Sequence, residues 1–369
     1  MSVTINGTSG VTFNDASSQN TAATGFGFKN RIINGAMVID QRNAGASVSI
    51  TPSTAYAVDR FVSVIAQGSG HTAQRSTSAP AGFINSLLVT VGTGASASAG
   101  NVSRIYQNIE GLNVADLDWG LATASTITLS FWVKSSLTGT FAGGVYNNAA
   151  NRTYVFTYTI SAANTWEQKS VTIAGDTSGT WLTTNGIGMT VNWDLGTGST
   201  YQGTAGVWAA GAAWATSGSV KLAATSGATW SVTGVQLEKG STATSFDYRP
   251  YGTELALCQR YAYQMNANDS NGANRFGLGF AQSTTKAFAL TPHPVPMRIK
   301  PSVTATAANI ALSDTITATA LTSIAIQAAT SDVNKTSFEC IVSSGLTSFR
   351  PYFLEAANST ATILLSAEL

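Results

Sequence analysis

The sequence predicts an all-β protein: an antiparallel β-sandwich of jelly-roll type, with a small N-terminal segment and a second, smaller β domain at the C-terminal end. Three observations carry this. Apolar and polar residues alternate in run after run, which is the period of a strand. Glycine is abundant, at 35 of 369 residues, and clusters of Gly, Ser, Thr and Asn separate the runs as turns would. Charged residues make up only 10% of the chain while 44% is hydrophobic, whereas an average globular protein is roughly 25% charged. Such a chain is not disordered, and it has few lysines to block strand edges, so its edges are expected to pair, across subunits included.

The length suggests two or three domains, and three textures divide the chain at 1–29, 30–250 and 251–369. In the first, Val3 and Ile5 alternate, Asn6-Gly7 signals a turn, and Val11 and Phe13 alternate again, the pattern of a small hairpin. In the second, nine runs read as strands: 46–52, 59–67, 85–92, 125–136, 139–147, 152–160, 166–175, 186–196 and 229–240. In "TITLSFWV", Ile127, Leu129, Phe131 and Val133 share one face and Thr126, Thr128, Ser130 and Trp132 the other, as in a half-buried antiparallel strand. About nine such strands without a convincing helix make a two-sheet sandwich. In the third, "TELALCQRYAYQMN" fits both a helical seam and a strand face. The reading preferred is one helical turn capped by Thr253, then a strand from about Arg260. Pro292, Pro294 and Pro296 cannot donate to a central ladder, so they predict an edge or an extended linker. The runs "SVTATAANI", "TSIAIQAAT", "SFECIVSS" and "TILLSAEL" complete the smaller β domain.

Composition excludes several functions. With 19 Lys and Arg against 18 Asp and Glu, the net charge is +1 and no basic stripe is visible, so nucleic acid is not an expected partner. No apolar run approaches the roughly 20 residues that span a bilayer, so no membrane insertion is expected. The start "MSVTINGTSGVTF" lacks the basic and apolar parts of a signal peptide. Cys258 and Cys340 sit in unrelated contexts, without histidines, and make neither a disulfide framework nor a zinc site.

All eight tryptophans lie between positions 119 and 230. Most are expected to anchor the core, as large aromatics do. The segment "YQGTAGVWAAGAAWATSG" differs: it is loop-like, rich in small residues, and carries Tyr201, Trp208 and Trp214. An exposed ring on such a loop offers a flat apolar face to a sugar, with amides and hydroxyls beside it. These three are the candidate glycan-binding residues.

Several blocks resemble a known group. "VTINGTSGVTFNDASSQNTAA" resembles the start of many bacteriophage tail proteins, and "NRIINGAMVIDQRNAGASVSITPSTAYAVDRF" resembles the opening of a domain in phage tail fibres. "IYQNIEGLNVADLDWG", "TLSFWVKSSLTGTF", "NTWEQKSVTIAGDTSGTW" and "VTGVQLEKGSTATSFDYRPYGTELALCQRY" follow in the same order, so the resemblance covers about residues 1–265. It implies a tail fibre or receptor-binding protein of the virion, made in the host bacterial cytoplasm, whose middle domain is a jelly roll similar to carbohydrate-binding modules. It further implies a homotrimer, attachment to other tail proteins through residues 1–29, and recognition of host surface polysaccharide or lipopolysaccharide. Receptor contact would fall to the tryptophan-rich loops or, the reading preferred, to the distal tip with residues 266–300. A structural calcium ion near the first and last strands, as such modules often hold, would involve Asp40 and Glu238; no other cofactor is implied.

No catalytic constellation emerges. His71 and His293 lie near no nucleophile motif. Asp116, Asp118, Asp176 and Asp194 are the carboxylates a glycan depolymerase would need in a pair, but aspartates beside glycine and tryptophan at strand ends are usually turn-formers. Asp59 with Arg60, and Asp247 with Arg249, read as structural ion pairs. The expected function is therefore non-enzymatic host-surface recognition. A purely structural virion part, such as a tail adaptor or capsid decoration, is the alternative, and a depolymerase the second alternative.

Overall fold

Ile127, Leu129, Phe131 and Val133 are all fully buried, in the second strand of a six-stranded sheet. The computed structural model describes residues 28–51, 54–267 and 274–369, together with the strands Thr4–Asn6, Gly10–Thr12 and Ser18–Gln19. In order across the six-stranded sheet lie Glu167–Ile173, Ile127–Ser135, Thr229–Lys239, Ser86–Thr90, Thr72–Ser76 and Val48–Ser49. Facing it is a seven-stranded sheet of Trp208–Ala210, Arg152–Ile160, Gly139–Tyr146, Ile187–Asp194, Ser103–Glu110, Phe61–Ile65 and Ala55–Val58. All these strand pairs are antiparallel, giving the sandwich that the alternation predicts.

Between the sheets Trp193 is the centre of the core, 5.6 Å from the Phe131 ring and 6.4 Å from those of Phe61 and Trp230. Trp230 Nε1 donates to the Tyr158 hydroxyl at 3.2 Å, so the buried indole is satisfied. Five of the eight tryptophans are buried: Trp119, Trp181, Trp193, Trp214 and Trp230. Thr128 and Ser130 are buried as well, which the half-buried reading of this strand does not anticipate. The cause is the segment after the last strand of the sandwich. Thr244 donates its amide to Glu238 and Asp247 donates its amide to Gln236, folding residues 244–247 over the sheet's outer side.

The block "NRIINGAMVID" packs along the same last strand and sends Ile32 and Met37 into the core between the sheets. Gly35 lies so close to the last strand that a Cβ there would come within 2.1 Å of the Val235 carbonyl oxygen. Asn34 takes a left-handed conformation, φ 62°, and its buried amide donates to the Ile39 and Asp59 carbonyls while accepting from the Ile39 amide. Short polar side chains tolerate such a turn because they bond locally.

The C-terminal half has its own core around Phe338, Leu354, Ile363 and Leu365. A three-stranded sheet orders Ala262–Asn266, Thr362–Ser366 and Ser302–Ala305. A second seven-stranded sheet orders Ala318–Ala320, Ile310–Ser313, Pro351–Ala356, Arg275–Ala281, Lys286–Pro292, Lys335–Ile341 and Ser323–Ile326. At the N-terminus Thr4–Asn6 pairs with Gly10–Thr12, as the hairpin pattern predicts, and Ser18–Gln19 adds a third strand; the Gly7 turn lies outside the described residues.

Four local expectations change. The helix runs Tyr251–Gln259, longer than one turn, and Pro250 rather than Thr253 stands at its cap. Proline fits there because the first helical amides have no partner in the helix. The strand Lys286–Pro292 is interior, paired on both sides, because Pro292 is its last residue and Pro294 and Pro296 lie beyond it. Asp59 pairs with Arg42, and Arg60 with Glu368, not with each other. Asp247 accepts the amides of Lys29 and Asn30, while Arg249 pairs with Glu254 and donates to the Ile32 and Asn30 carbonyls.

The two halves meet through buried charge. Glu368, next to the last residue, accepts from Arg42 at 2.8 Å and from Arg60. The Arg60 guanidinium lies 3.6 Å over the Tyr261 ring. Arg260 grips Glu110 with two bonds, at 2.6 and 2.9 Å, and Tyr261 donates to the same carboxylate at 2.6 Å. Burial pushes the Glu110 carboxyl up, but these bonds outweigh it and hold the group below the usual carboxylate range.

Candidate functional site

Alternation along the first seven-stranded sheet sends Ile105, Val145, Val191 and Trp193 into the core. The residues between them point outward. Register places Tyr106 opposite Asn192, and Asn192 opposite Gly144, in one row across three strands; Asn108, Thr190 and Tyr146 form the next row. Arg104, two residues before Tyr106, shares this face.

The segment between the strands Ile187–Asp194 and Thr229–Lys239 folds back over part of the face. Trp214 and Ala215 donate their amides to the Tyr201 carbonyl at 3.1 and 3.2 Å, closing a loop that lays Trp214 on Gly144. Any side chain at 144 would crowd it, since a Cβ there would stand 3.0 Å from that of Trp214. Tyr201 stacks on Trp214 at 4.6 Å and 14°, and Tyr146 lies 5.5 Å away on a tilt. The Arg104 guanidinium sits 4.3 Å over Trp214 and 4.5 Å over Tyr106, and its Nη1 donates to the Tyr146 hydroxyl at 2.8 Å. Trp214 is thus the buried hub, and Tyr201, Tyr106 and Arg104 are its half-buried, reachable members. Burial raises the Tyr106 hydroxyl more than Arg104 lowers it, so this hydroxyl stays protonated at neutral pH.

The face also holds unsatisfied polar groups. Arg104 Nε, Asn192 Oδ1 and Trp214 Nε1 are three of the ten buried side-chain atoms without a hydrogen-bond partner among the described residues. Each such atom costs on the order of 1–3 kcal/mol if left dry, so a water or polar ligand that reached them would be stabilised. Flat rings beside unpaired donors and an acceptor suit a sugar: ring faces cover its C–H side and polar atoms meet its hydroxyls.

Of the three candidate residues read from the sequence, the fold therefore brings Tyr201 and Trp214 together. Trp208 lies in the edge strand Trp208–Ala210 and turns to a separate cluster, 5.3 Å from Trp119 and Tyr154 and 5.6 Å from Trp181, with Nε1 donating to the Ala174 carbonyl. Asp40 accepts from the Asn43 and Gly45 amides, and Glu238 from Gln236 and Thr244; the two share no partner. Among the described residues no group of three or more His, Cys, Asp or Glu could hold a metal ion.

Three of the four aspartates are committed elsewhere. Asp176 takes two bonds from Arg152, at 2.6 and 2.8 Å, and Asp194 caps a turn through the Gly196 and Thr197 amides. Asp116 pairs with Arg31 at 2.8 Å, and Asp118 stands in a left-handed turn. His71 lies buried between the Gln67 carbonyl and the Gly92 amide, and His293 between the Val333 carbonyl and Thr336.

No family model matches the chain, and no curated protein matches it. Among solved structures, the chain is similar to the enzymatically active domain of bacteriophage CBA120 tailspike protein 4, at 13% identity and TM-score 0.30 over 57% of this chain and 22% of that one. It is similar to a putative sugar binding protein from Bacteroides thetaiotaomicron, at 14% identity and TM-score 0.30, over 57% of this chain and 100% of that one. A family 11 carbohydrate-binding module from Clostridium thermocellum gives 10% identity and TM-score 0.28, over 55% and 99%. The chain thus spans less than a quarter of the length of the tailspike domain.

Proposed function

We propose that this chain is a non-enzymatic glycan-recognition protein of a phage tail fibre, binding host surface polysaccharide or lipopolysaccharide on the outer face of its first seven-stranded sheet. One observation carries the reading: the platform of Tyr106, Tyr146, Tyr201 and Trp214 around Arg104, with three buried polar atoms unpaired on the same face. The resemblance of its sequence blocks to phage tail proteins supports the virion setting, attachment through residues 1–29 and a homotrimer, in which linked weak sites gain avidity. The commitment of Asp176 to Arg152 and of Asp194 to its turn supports a binding role over hydrolysis. The site proposed is in the sandwich, not at residues 266–300, because the groove on the C-terminal sheet, lined by Leu278, Phe280 and Leu290 with Gln327, Thr330, Lys335 and Ser337, has none of the buried unpaired polar atoms found on the first face among the described residues.

Binding of the purified chain to host cells and to a glycan array tests this. The wild type binds a surface polysaccharide. Tyr106→Ala and Tyr201→Ala each weaken binding about fivefold to tenfold, as expected for one lost stacking contact of about 1 kcal/mol, with an unchanged melting midpoint. A chain that binds neither cells nor polysaccharide contradicts the reading and favours a purely structural virion part. Release of reducing sugar would instead indicate a depolymerase.

A further inference from the structure

We propose that the sugar taken by this face is acidic, bearing a carboxylate, and that Arg104 is the residue that reads it. The proposal rests on the glycan reading of the face and narrows it.

Arg104 stands apart from the other arginines. Of the 11 in the sequence, eight lie within 4.0 Å of a carboxylate. Arg75 donates to the Val38 carbonyl, and Arg298 fills its fork with the Ala367, Asn185 and Glu368 carbonyls. Arg104 has neither kind of partner among the described residues. Among the described residues its one bond is from Nη1 to a tyrosine hydroxyl; Nε is buried and unpaired, as it is in Arg31, Arg60 and Arg249, but in Arg104 Nη2 has no bond either. The Nε–Nη2 edge of a guanidinium is planar and matches a carboxylate with two parallel bonds. That edge is the part of Arg104 left unused.

The surroundings do not supply the missing acid. Asp194 is the register neighbour of Arg104 across the ladder, but its oxygens accept the Gly196 and Thr197 amides and Ser219, with Lys221 at 3.7 Å. Glu368, toward the other end of the face, is shared by Arg42 and Arg60, and Asp59 pairs with Arg42. These three carboxylates are thus engaged by Arg42, Arg60 and Lys221, and none of them lies within 4.0 Å of Arg104. The rings of Tyr106 and Trp214 flank the guanidinium, keep water from two sides and hold it in place. An ion pair formed there is stronger than one in open water, and the fork is already oriented, so little side-chain freedom is lost on binding.

Calorimetric titration tests the proposal. Hexuronate and sialate oligosaccharides are each compared with their carboxyl-reduced counterparts, on wild type, Arg104→Gln and Arg104→Lys. Wild type binds at least one acidic series about tenfold or more tighter than its reduced form, the size of one charge-assisted contact. That preference shrinks between about 0.05 M and about 0.5 M NaCl. Arg104→Gln abolishes the preference while leaving binding of the reduced sugar in place, and Arg104→Lys, which keeps the charge but not the fork, retains part of it. Equal affinity of wild type for acidic and reduced sugars overturns the proposal and leaves the glycan reading standing. So does a preference that survives in Arg104→Gln. A wild type that binds neither series but binds neutral glycans on an array has the same meaning; one that binds no glycan at all overturns the glycan reading as well.

Discussion

The molecule contains two seven-stranded antiparallel sheets with opposite outer faces. On the first, the outward positions carry Arg104, Tyr106, Asn108, Thr190, Asn192 and Tyr146, and a returning loop lays Trp214 over them. On the second, Leu278, Phe280 and Leu290 stand 50%, 60% and 46% exposed, and they line a groove of about 580 Å³ with Phe288, Gln327 and Lys335 at its side. The difference teaches that alternation fixes only which positions face outward. What those positions do depends on the residues placed there and on whether a loop returns to cover them.

The largest expected effect concerns the joint that holds these sheets together. Glu368→Ala strips Arg42 and Arg60 of a shared, largely buried carboxylate, and breaking one side of a buried pair costs about 3–5 kcal/mol. Calorimetry should show the transition lowered and split between the halves. An unchanged single transition would mean that the sheets are coupled by other contacts.

The next comparison uses one glycine from each sheet. In Gly279→Ala the new Cβ would lie 1.7 Å from the Phe288 carbonyl oxygen, in the neighbouring strand; in Gly144→Ala it would meet the Trp214 Cβ at 3.0 Å. The first should destabilise by about 1–3 kcal/mol, since a packed backbone cannot yield easily. The second should cost less stability but displace Trp214 and weaken glycan binding. Equal losses of stability in both variants would show that the Trp214 cover is part of the core.

The smallest effect is a pH dependence confined to the second sheet's half. Burial, against the opposing pull of the Val333 carbonyl and Asp332, holds the His293 imidazole below its ordinary value. The unfolded chain then binds the proton more readily than the folded one, so this contribution to stability is complete above the unfolded value and is lost as pH falls through it. The melting midpoint should decline from about pH 7 toward about pH 5, around the ordinary histidine value, and His293→Gln should flatten that slope. A slope unchanged in His293→Gln would assign it to another group.

Much of the architecture is legible in the sequence, and particular residues show where it stops. Each of the nine runs from 46–52 to 229–240 contains an observed strand, although not all keep period two: every residue of Phe61–Ile65 is buried. The strand Ser103–Glu110 is hidden by Gln107, a polar residue at an inward position, buried because its amide exchanges two bonds with the Ile33 backbone. Arg275–Ala281 is hidden by its glycines, which let neighbouring strands approach and carry no side chain to mark a face. The candidate site was half legible. Aromatic rings on a small-residue segment point to Tyr201 and Trp214, but the same signal picks Trp208, and nothing local distinguishes a ring that returns over the sheet from one that turns into the Trp119 cluster. Arg104, Tyr106 and Tyr146 come from strands that become neighbours only through Ile187–Asp194, so their meeting is a matter of register and not of spacing along the chain.

Hydrogen exchange of the chain with and without bound host polysaccharide tests the central claim most directly. The account predicts added protection in residues 103–108 and 201–215, with residues 275–292 unchanged. Protection confined to 275–292, with the first sheet unaffected, would contradict it.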